Sequence, residues 1–146
     1  MPDILHRVGI HASPERVFEA IATPEGLSRW WITETTGEPA VGGTLHFRPG
    51  GGGFEMKVVE LSPGKLVRWK CIGGPPEWVG TDVVFRLEHK EGQTFVLFQH
   101  AHWKEPVEFM HHCSTKWATF LLSLRALVET SKGRPAPHDV KIHVTD

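Results

Sequence analysis

Histidine is the residue best suited to chemistry in this 146-residue sequence, because ten histidines are present and an imidazole titrates near neutral pH. His100 and His102 lie two residues apart in a predicted strand, so their side chains should share one face. His111, His112 and Cys113 begin a predicted helix that should pass nearby. Three or four such ligands satisfy zinc, but no HExxH or paired CxxC motif fixes the geometry, and His111 and His112 point in different directions. We therefore predict no metal site and no cofactor.

Carboxylates are the other groups capable of acid–base chemistry, since a carboxyl group inside an apolar cavity can acquire a shifted pKa. The candidates are Glu34, Glu38, Glu60, Glu77, Asp82, Glu105 and Glu108. None is paired with a histidine at an informative spacing, which leaves His100 as the best single candidate for a general acid or base. The sequence contains no complete catalytic constellation, and we assign no catalytic residue.

The charge and composition exclude several classes of partner. Sixteen Lys and Arg against seventeen Asp and Glu give a formal charge of −1, without a long run of either sign. We therefore predict no binding to nucleic acid and none to a membrane surface. No window approaches the roughly 20 apolar residues that span a bilayer, no secretory leader is evident, and Cys71 and Cys113 are too far apart to suggest a disulfide framework. A cytoplasmic location is the expectation.

A strand and two short helices are predicted before the middle of the chain. Ile4–Ile10 alternates enough to form a strand. Ser13 precedes Pro14, and Thr23 precedes Pro24; each pair places a good N-cap before a proline at the first helical position. Helices should therefore begin at both places.

The rest of the chain changes from period two to period 3.6. Residues 44–48, 54–61, 65–72, 79–88 and 94–102 predict five antiparallel strands separated by Gly- and Pro-rich turns. A long amphipathic helix follows over about 106–132. The prolines after Arg134 stop the helix, so residues 134–146 either pack as an extended tail or stay mobile. The length predicts a single domain over residues 1–146.

Four stretches of the sequence resemble a known family. They are residues 13–21 (SPERVFEAI), 23–31 (TPEGLSRWW), 92–100 (GQTFVLFQH) and 116–129 (KWATFLLSLRALVE). The chain is similar over essentially its whole length to the activator of heat-shock-protein-ninety (Hsp90) ATPase-like family. That family lies within the START, polyketide-cyclase and birch-pollen-allergen-like (SRPBCC) superfamily. The resemblance implies an α+β helix-grip fold, in which a curved antiparallel sheet wraps around a long C-terminal helix and two short helices follow the first strand.

The resemblance also implies which sheet face turns toward the helix, and the side chains on that face can assemble an aromatic-lined pocket. The candidate ligand-binding residues are Trp30, Trp31, Trp69, Phe85, Phe98, His100, Met110, Cys113, Trp117 and Leu121. The alternative is a solid core built from the same residues. Because two adjacent indoles should not both point inward, we expect Trp30 or Trp31 at a rim, a lid or a contact with another chain.

Three classes of function remain open from the sequence. The first is binding or carrying a small, mainly hydrophobic molecule between the sheet and the final helix, which needs only a cavity. The second is an enzyme of the cyclase, dehydratase or hydrolase type acting in the same cavity, and the third is a chaperone-accessory or other interaction module. A homodimer is compatible with each of them.

Overall fold

The computed structural model describes residues 1–146 and contains one seven-stranded antiparallel sheet. The strands are β1 (Ile4–Ile10), β2 (Thr35–Gly37), β3 (Thr44–Phe47), β4 (Phe54–Ser62), β5 (Leu66–Gly73), β6 (Asp82–Lys90) and β7 (Gln93–Ala101). Their order across the sheet is β1-β7-β6-β5-β4-β3-β2. Strands β2 to β7 therefore form a meander, and β1 pairs with β7 at the far edge, with Ile4 opposite His100. The predicted antiparallel meander is confirmed.

The two short helices begin where the capping signals predict. In α1 (Pro14–Ala22) the Ser13 hydroxyl accepts a 3.3 Å hydrogen bond from the Arg16 amide. In α2 (Pro24–Trp30) the Thr23 hydroxyl accepts a 3.0 Å bond from the Gly26 amide. The third helix, α3 (Glu108–Thr130), ends at Ser131, which adopts the left-handed conformation with φ 67°. Each short helix thus has its first turn satisfied by the side chain that precedes a proline.

The structure differs from the predicted strands in three places. The strand predicted over 79–88 begins only at Asp82 and runs to Lys90, because residues 76–80 form a turn. Strand β2 is absent from the prediction because a three-residue edge strand is too short to show a period-two pattern. Strand β7 ends at Ala101, and His102 has a left-handed φ of 70°. The side chain of His102 therefore leaves the face that carries His100 and bonds Asp82 at 2.6 Å, so the prediction that the two histidines share a face is wrong.

A continuous cluster of buried apolar side chains fills the space between the inner face of the sheet and the helices. Trp69 of β5, Phe85 of β6 and Phe98 of β7 form its centre, and Trp117 and Leu121 of α3 pack over them. Register shifts in the pairing of β4 with β5 mark bulges that bend these strands. This arrangement confirms the helix-grip fold. No helix is both long and apolar enough to span a membrane.

Residues after α3 fold back against the beginning of the chain. The Ala136 amide donates a 2.7 Å hydrogen bond to the Trp31 carbonyl, and the Thr33 amide donates one of 3.1 Å to the Ala136 carbonyl. Ser123 of α3 reinforces the turn, because its hydroxyl donates to the Trp30 carbonyl at 2.8 Å and accepts from the Arg134 amide at 2.7 Å. We call residues 134–146 the C-terminal segment, and it forms one wall of the site described next.

Candidate functional site

A cavity of about 440 Å³ lies at one end of the grip, between α3, the Trp31–Ile32 corner and the C-terminal segment. Six aromatic side chains line it: Trp31, Phe54, Trp78, Phe109, Trp117 and Phe120. Its rim is polar and carries His112, Lys116, Asp139, Lys141 and Asp146. The recess therefore has the apolar walls and the few polar groups that are typical of small-molecule sites.

One face of α3 supplies much of the lining. Phe109, His112, Cys113, Lys116, Trp117 and Phe120 recur every three or four residues, and all six border the cavity. Residues at this spacing lie above one another on a helix. The periodicity that predicts the helix thus also explains why these aromatic and polar side chains face the cavity together.

Trp31 joins the cavity to the core. Its ring lies 4.8 Å from that of Trp117 and 5.2 Å from that of Phe54, and it stacks on Trp69 at 5.9 Å with an angle of 4° between the planes. The ring of Trp30 stacks on that of Trp31 at 6.0 Å, and its indole nitrogen donates a 2.8 Å hydrogen bond to the Ala20 carbonyl. Both indoles are buried, so the premise that two adjacent indoles cannot both point inward is wrong here.

His100 lies in a fully satisfied buried chain of hydrogen bonds. The Trp117 indole nitrogen donates to Nδ1 of His100 at 3.1 Å, which leaves the ring proton on Nε2. Nε2 then donates to the Thr81 hydroxyl at 2.8 Å, and that hydroxyl donates to the Trp78 carbonyl at 2.6 Å. Burial lowers the pKa of His100 to about 3. A neutral imidazole with both nitrogens occupied has no free atom for acid–base work, so His100 holds the fold together.

Lys116 and two carboxylates form the polar rim. The ammonium group donates to Asp139, to Asp146 at 2.8 Å and to the Val140 carbonyl at 3.0 Å, which uses its three protons. Burial alone would lower the pKa of Lys116, but the bonds to the two carboxylates raise it on balance. Burial alone would raise the pKa of Asp139, and the bonds from Lys116 and Lys141 lower it on balance. Lys116, Asp139 and Asp146 are therefore charged at neutral pH, and the two carboxylates are paired with Lys116 and Lys141.

The thiol in the wall is unreactive. Burial raises the pKa of Cys113 to about 12, against a smaller opposing effect of the neighbouring Trp78 indole. A thiol with such a pKa is not a nucleophile at neutral pH. Cys71 is likewise buried, and burial raises the pKa of its thiol. The cavity therefore offers contact surface rather than a covalent catalyst.

The structure separates the ten predicted ligand-binding residues into two groups. Trp31, Cys113 and Trp117 line the cavity. The others pack around the central core instead: Trp30, Trp69, Phe85, Phe98, His100, Met110 and Leu121. Residues that the sequence reasoning missed include Phe54, Trp78, Lys116 and Asp139. None of these seven lines the recess, which lies nearer to the N-terminal half of α3.

The histidines weighed as metal ligands do not come together. His100 is enclosed in the core, His102 bonds Asp82, and His111 is exposed, with Nδ1 3.3 Å from the Val107 carbonyl. His112 alone of this set lies on the rim of the cavity.

Comparison with known proteins agrees with this architecture. The family model described as "Activator of Hsp90 ATPase homolog 1-like protein" matches residues 11–129. The chain belongs to this family. The matched residues run from α1 through nearly all of α3. They include the part of α3 that forms a wall of the cavity. No curated protein sequence is significantly similar to the chain.

Solved structures include a relative of high similarity. The solution structure of the Aha1 dimer from Colwellia psychrerythraea is 47% identical, covers 91% of this family member and 100% of the other chain, and has a TM-score of 0.84. A Mesorhizobium loti protein (18% identity, 90% and 99% coverage, TM-score 0.78) shares the fold. A Staphylococcus saprophyticus protein also shares the fold, with 18% identity, coverage of 90% of this chain and 95% of the other, and a TM-score of 0.76.

Proposed function

We propose that this chain binds or carries a small, uncharged, mainly aromatic or apolar molecule in the cavity beside α3. The observation that carries the proposal is a recess of about 440 Å³ walled by six aromatic rings. This volume lies within the range of roughly 300–1,000 Å³ that is usual for ligand sites. Aromatic rings at centroid distances of about 4.5–7 Å attract one another, so a flat ligand can pack against Trp31 and Trp117, whose rings lie 4.8 Å apart with their planes tilted by 35°.

The rim supports an uncharged ligand. Lys116 has no proton left for a ligand anion, because Asp139, Asp146 and the Val140 carbonyl accept all three. The two rim carboxylates are already balanced by Lys116 and Lys141, so a ligand carboxylate would find no unpaired cation, and a ligand cation would have to displace Lys116 from Asp139. A neutral molecule with one polar atom avoids both costs.

A steric block tests the proposal. Ala136 lines the cavity and is buried, so Ala136→Phe should fill part of it. Ala40→Phe makes the same change at an exposed position and is the control. We expect native mass spectrometry of gently purified protein to retain a small molecule in the parent and in Ala40→Phe but not in Ala136→Phe. A hydrophobic fluorescent probe should give the same order of binding. If neither method detects binding to the parent, the proposal fails.

We further propose that the chain forms a homodimer. Support comes from the Colwellia psychrerythraea relative, which is described as a dimer and is 47% identical. Sedimentation equilibrium of the whole chain measures this directly, and a mass of 16.4 kDa over a wide concentration range would contradict it. A cytoplasmic location belongs to the same proposal and is supported by two buried free thiols.

A chaperone-accessory role is the second candidate, because the family description names an activator of the Hsp90 ATPase. The measurement is the ATPase rate of an Hsp90-type chaperone with and without this chain. An increase that survives Ala136→Phe would place this activity outside the cavity, whereas no increase would remove the candidate. An enzymatic role for the cavity has less support, because His100 is neutral and enclosed and Cys113 is protonated.

A further inference from the structure

We propose that His112, His143 and Asp146 bind a divalent transition-metal ion, with zinc as the best match, at the rim of the cavity. One ligand atom from each residue can be chosen so that all three lie within 4.8 Å of one another. In a tetrahedral zinc site with bonds of about 2.0–2.1 Å, neighbouring ligand atoms are about 3.4 Å apart. A small inward movement of the side chains therefore completes the site.

The ligands come from two parts of the chain. His112 lies on α3, where its ring stacks on Phe109 at 5.9 Å with an interplanar angle of 10°. Its ring centroid is 5.3 Å from that of His143 in the C-terminal segment. His143 and Asp146 are three residues apart and are brought together by a turn, in which the Asp146 amide donates to the His143 carbonyl at 3.2 Å. The turn after Ile142 and the packing of the C-terminal segment against α3 thus bring the three side chains together.

Neighbouring groups leave suitable ligand atoms free. Nδ1 of His143 lies 3.2 Å from the Thr145 hydroxyl, a contact that orients the ring and leaves Nε2 for a metal. The Asp146 carboxylate accepts from the Ile142 amide and from Lys116, both at 2.8 Å and both through Oδ2. Oδ1 therefore faces no competing donor. The site has the combination of oriented imidazoles and a held carboxylate that metal sites require.

The type of ligand selects the metal. Two imidazoles and one carboxylate suit zinc and neighbouring transition metals, whereas calcium and magnesium favour all-oxygen sites. Lys116 and Lys141 are the positive charges on the rim that oppose a cation. Both are paired with Asp139, which reduces the opposition.

A bound ion would fasten the C-terminal segment to α3. His112 and Asp146 both line the cavity, so the ion would sit on its rim. Three protein ligands leave one position of a tetrahedral ion for water or for a polar atom of a bound molecule. The metal would therefore hold the cavity wall in place and offer a point of attachment inside it.

The test uses the whole chain, prepared without a polyhistidine tag and freed of metal with a chelator. After equilibrium dialysis against zinc chloride, we expect one zinc ion per chain. His112→Ala and His143→Ala should each weaken zinc binding about tenfold or more. His111→Ala is the matched control, because His111 neighbours His112 on α3 but is exposed and outside the cluster.

A second readout separates loss of a ligand from loss of folding. Long-range nitrogen–proton spectra of the parent should show the ring signals of His112 and His143 moving on addition of zinc, with His111 and His138 unchanged. Two results would overturn the proposal: no zinc bound by the parent at about 100 µM free metal, or undiminished binding in the His112→Ala/His143→Ala double variant. Zinc binding that persists in Ala136→Phe would show that the metal site stands independently of the proposed ligand cavity.

Discussion

The indole nitrogen of Trp117 donates a 3.1 Å hydrogen bond to Nδ1 of His100, linking the middle of α3 to strand β7. An imidazolium ion has protons on both nitrogens and cannot accept such a bond. The contact therefore exists only while His100 is neutral. Protonation of one buried ring would break the polar link between the helix and the sheet that it closes.

This relationship predicts acid sensitivity. Burial lowers the pKa of His100 to about 3, whereas an unfolded chain titrates at a histidine pKa of about 6.5. Between these values the unfolded state binds more protons, so the free energy of unfolding falls as the pH drops below about 6.5. As the pH falls from 6.5 to 4, we expect the titration of His100 to reduce the free energy of unfolding by roughly 3 kcal/mol. Urea denaturation at a series of pH values measures it.

A pair of variants isolates the His100 contribution. His100→Gln keeps an acceptor for Trp117 and a donor for Thr81 but cannot be protonated, so its stability should fall less steeply with acid. His89→Gln removes an exposed histidine from β6 and should retain the parent's slope. Parallel pH profiles for the parent and His100→Gln would contradict the assignment.

Trp117 should be among the most costly residues to truncate. It is 2% exposed, and its ring lies 4.4 Å from that of Phe98 and 4.8 Å from that of Trp31. Trp117→Ala should reduce the free energy of unfolding by about 3–5 kcal/mol. Leu122→Ala removes an exposed side chain from the same helix and should cost much less. An unchanged denaturation midpoint in Trp117→Ala would show that Trp117 is not buried against Phe98 and Trp31.

Phe98 tests whether the centre of the grip is solid. Its ring packs 5.2 Å from Phe85 and it does not line the cavity. Phe98→Trp should therefore cause overpacking of about 1–3 kcal/mol while ligand binding survives. Loss of ligand binding without loss of stability would instead indicate a cavity beside Phe98.

Much of the fold follows from local patterns. Ser13 and Thr23 cap the helices that they predict, and the period of α3 correctly buries Cys113, Trp117 and Leu121. These features depend on residues within one or two turns of each other, so the sequence displays them directly. The curved sheet around the helix was available only through family resemblance, because strand order is a long-range property.

The position of the cavity could not be predicted for the same reason. It depends on the bond from the Ala136 amide to the Trp31 carbonyl and on the ion pairs of Lys116 with Asp139 and Asp146. The C-terminal segment has no period that indicates such a return. The side chain of His102 could not be placed from the sequence either. Its left-handed backbone conformation, just after β7, turns the side chain away from the face that the alternation of the strand predicts.

The last prediction concerns the ion pairs that hold the C-terminal segment. The side chains of Lys116 and Asp139 are 14% and 5% exposed, and Lys116→Met would leave this nearly buried carboxylate with the more exposed Lys141 as its one remaining cation. Leaving a buried charge wholly unpaired costs about 3–5 kcal/mol, so we expect a smaller loss here, expressed mainly as easier opening of the C-terminal segment. Hydrogen exchange should rise at the Ala136 and Ile142 amides, which are bonded to Trp31 and Asp146, while the β6–β7 amides stay protected. Lys132→Met, which removes an exposed lysine just after α3, is the matched control and should leave exchange unchanged. Equal protection of the segment in Lys116→Met and the parent would mean that the backbone bonds alone hold it, and the cavity wall would then be independent of the charged rim.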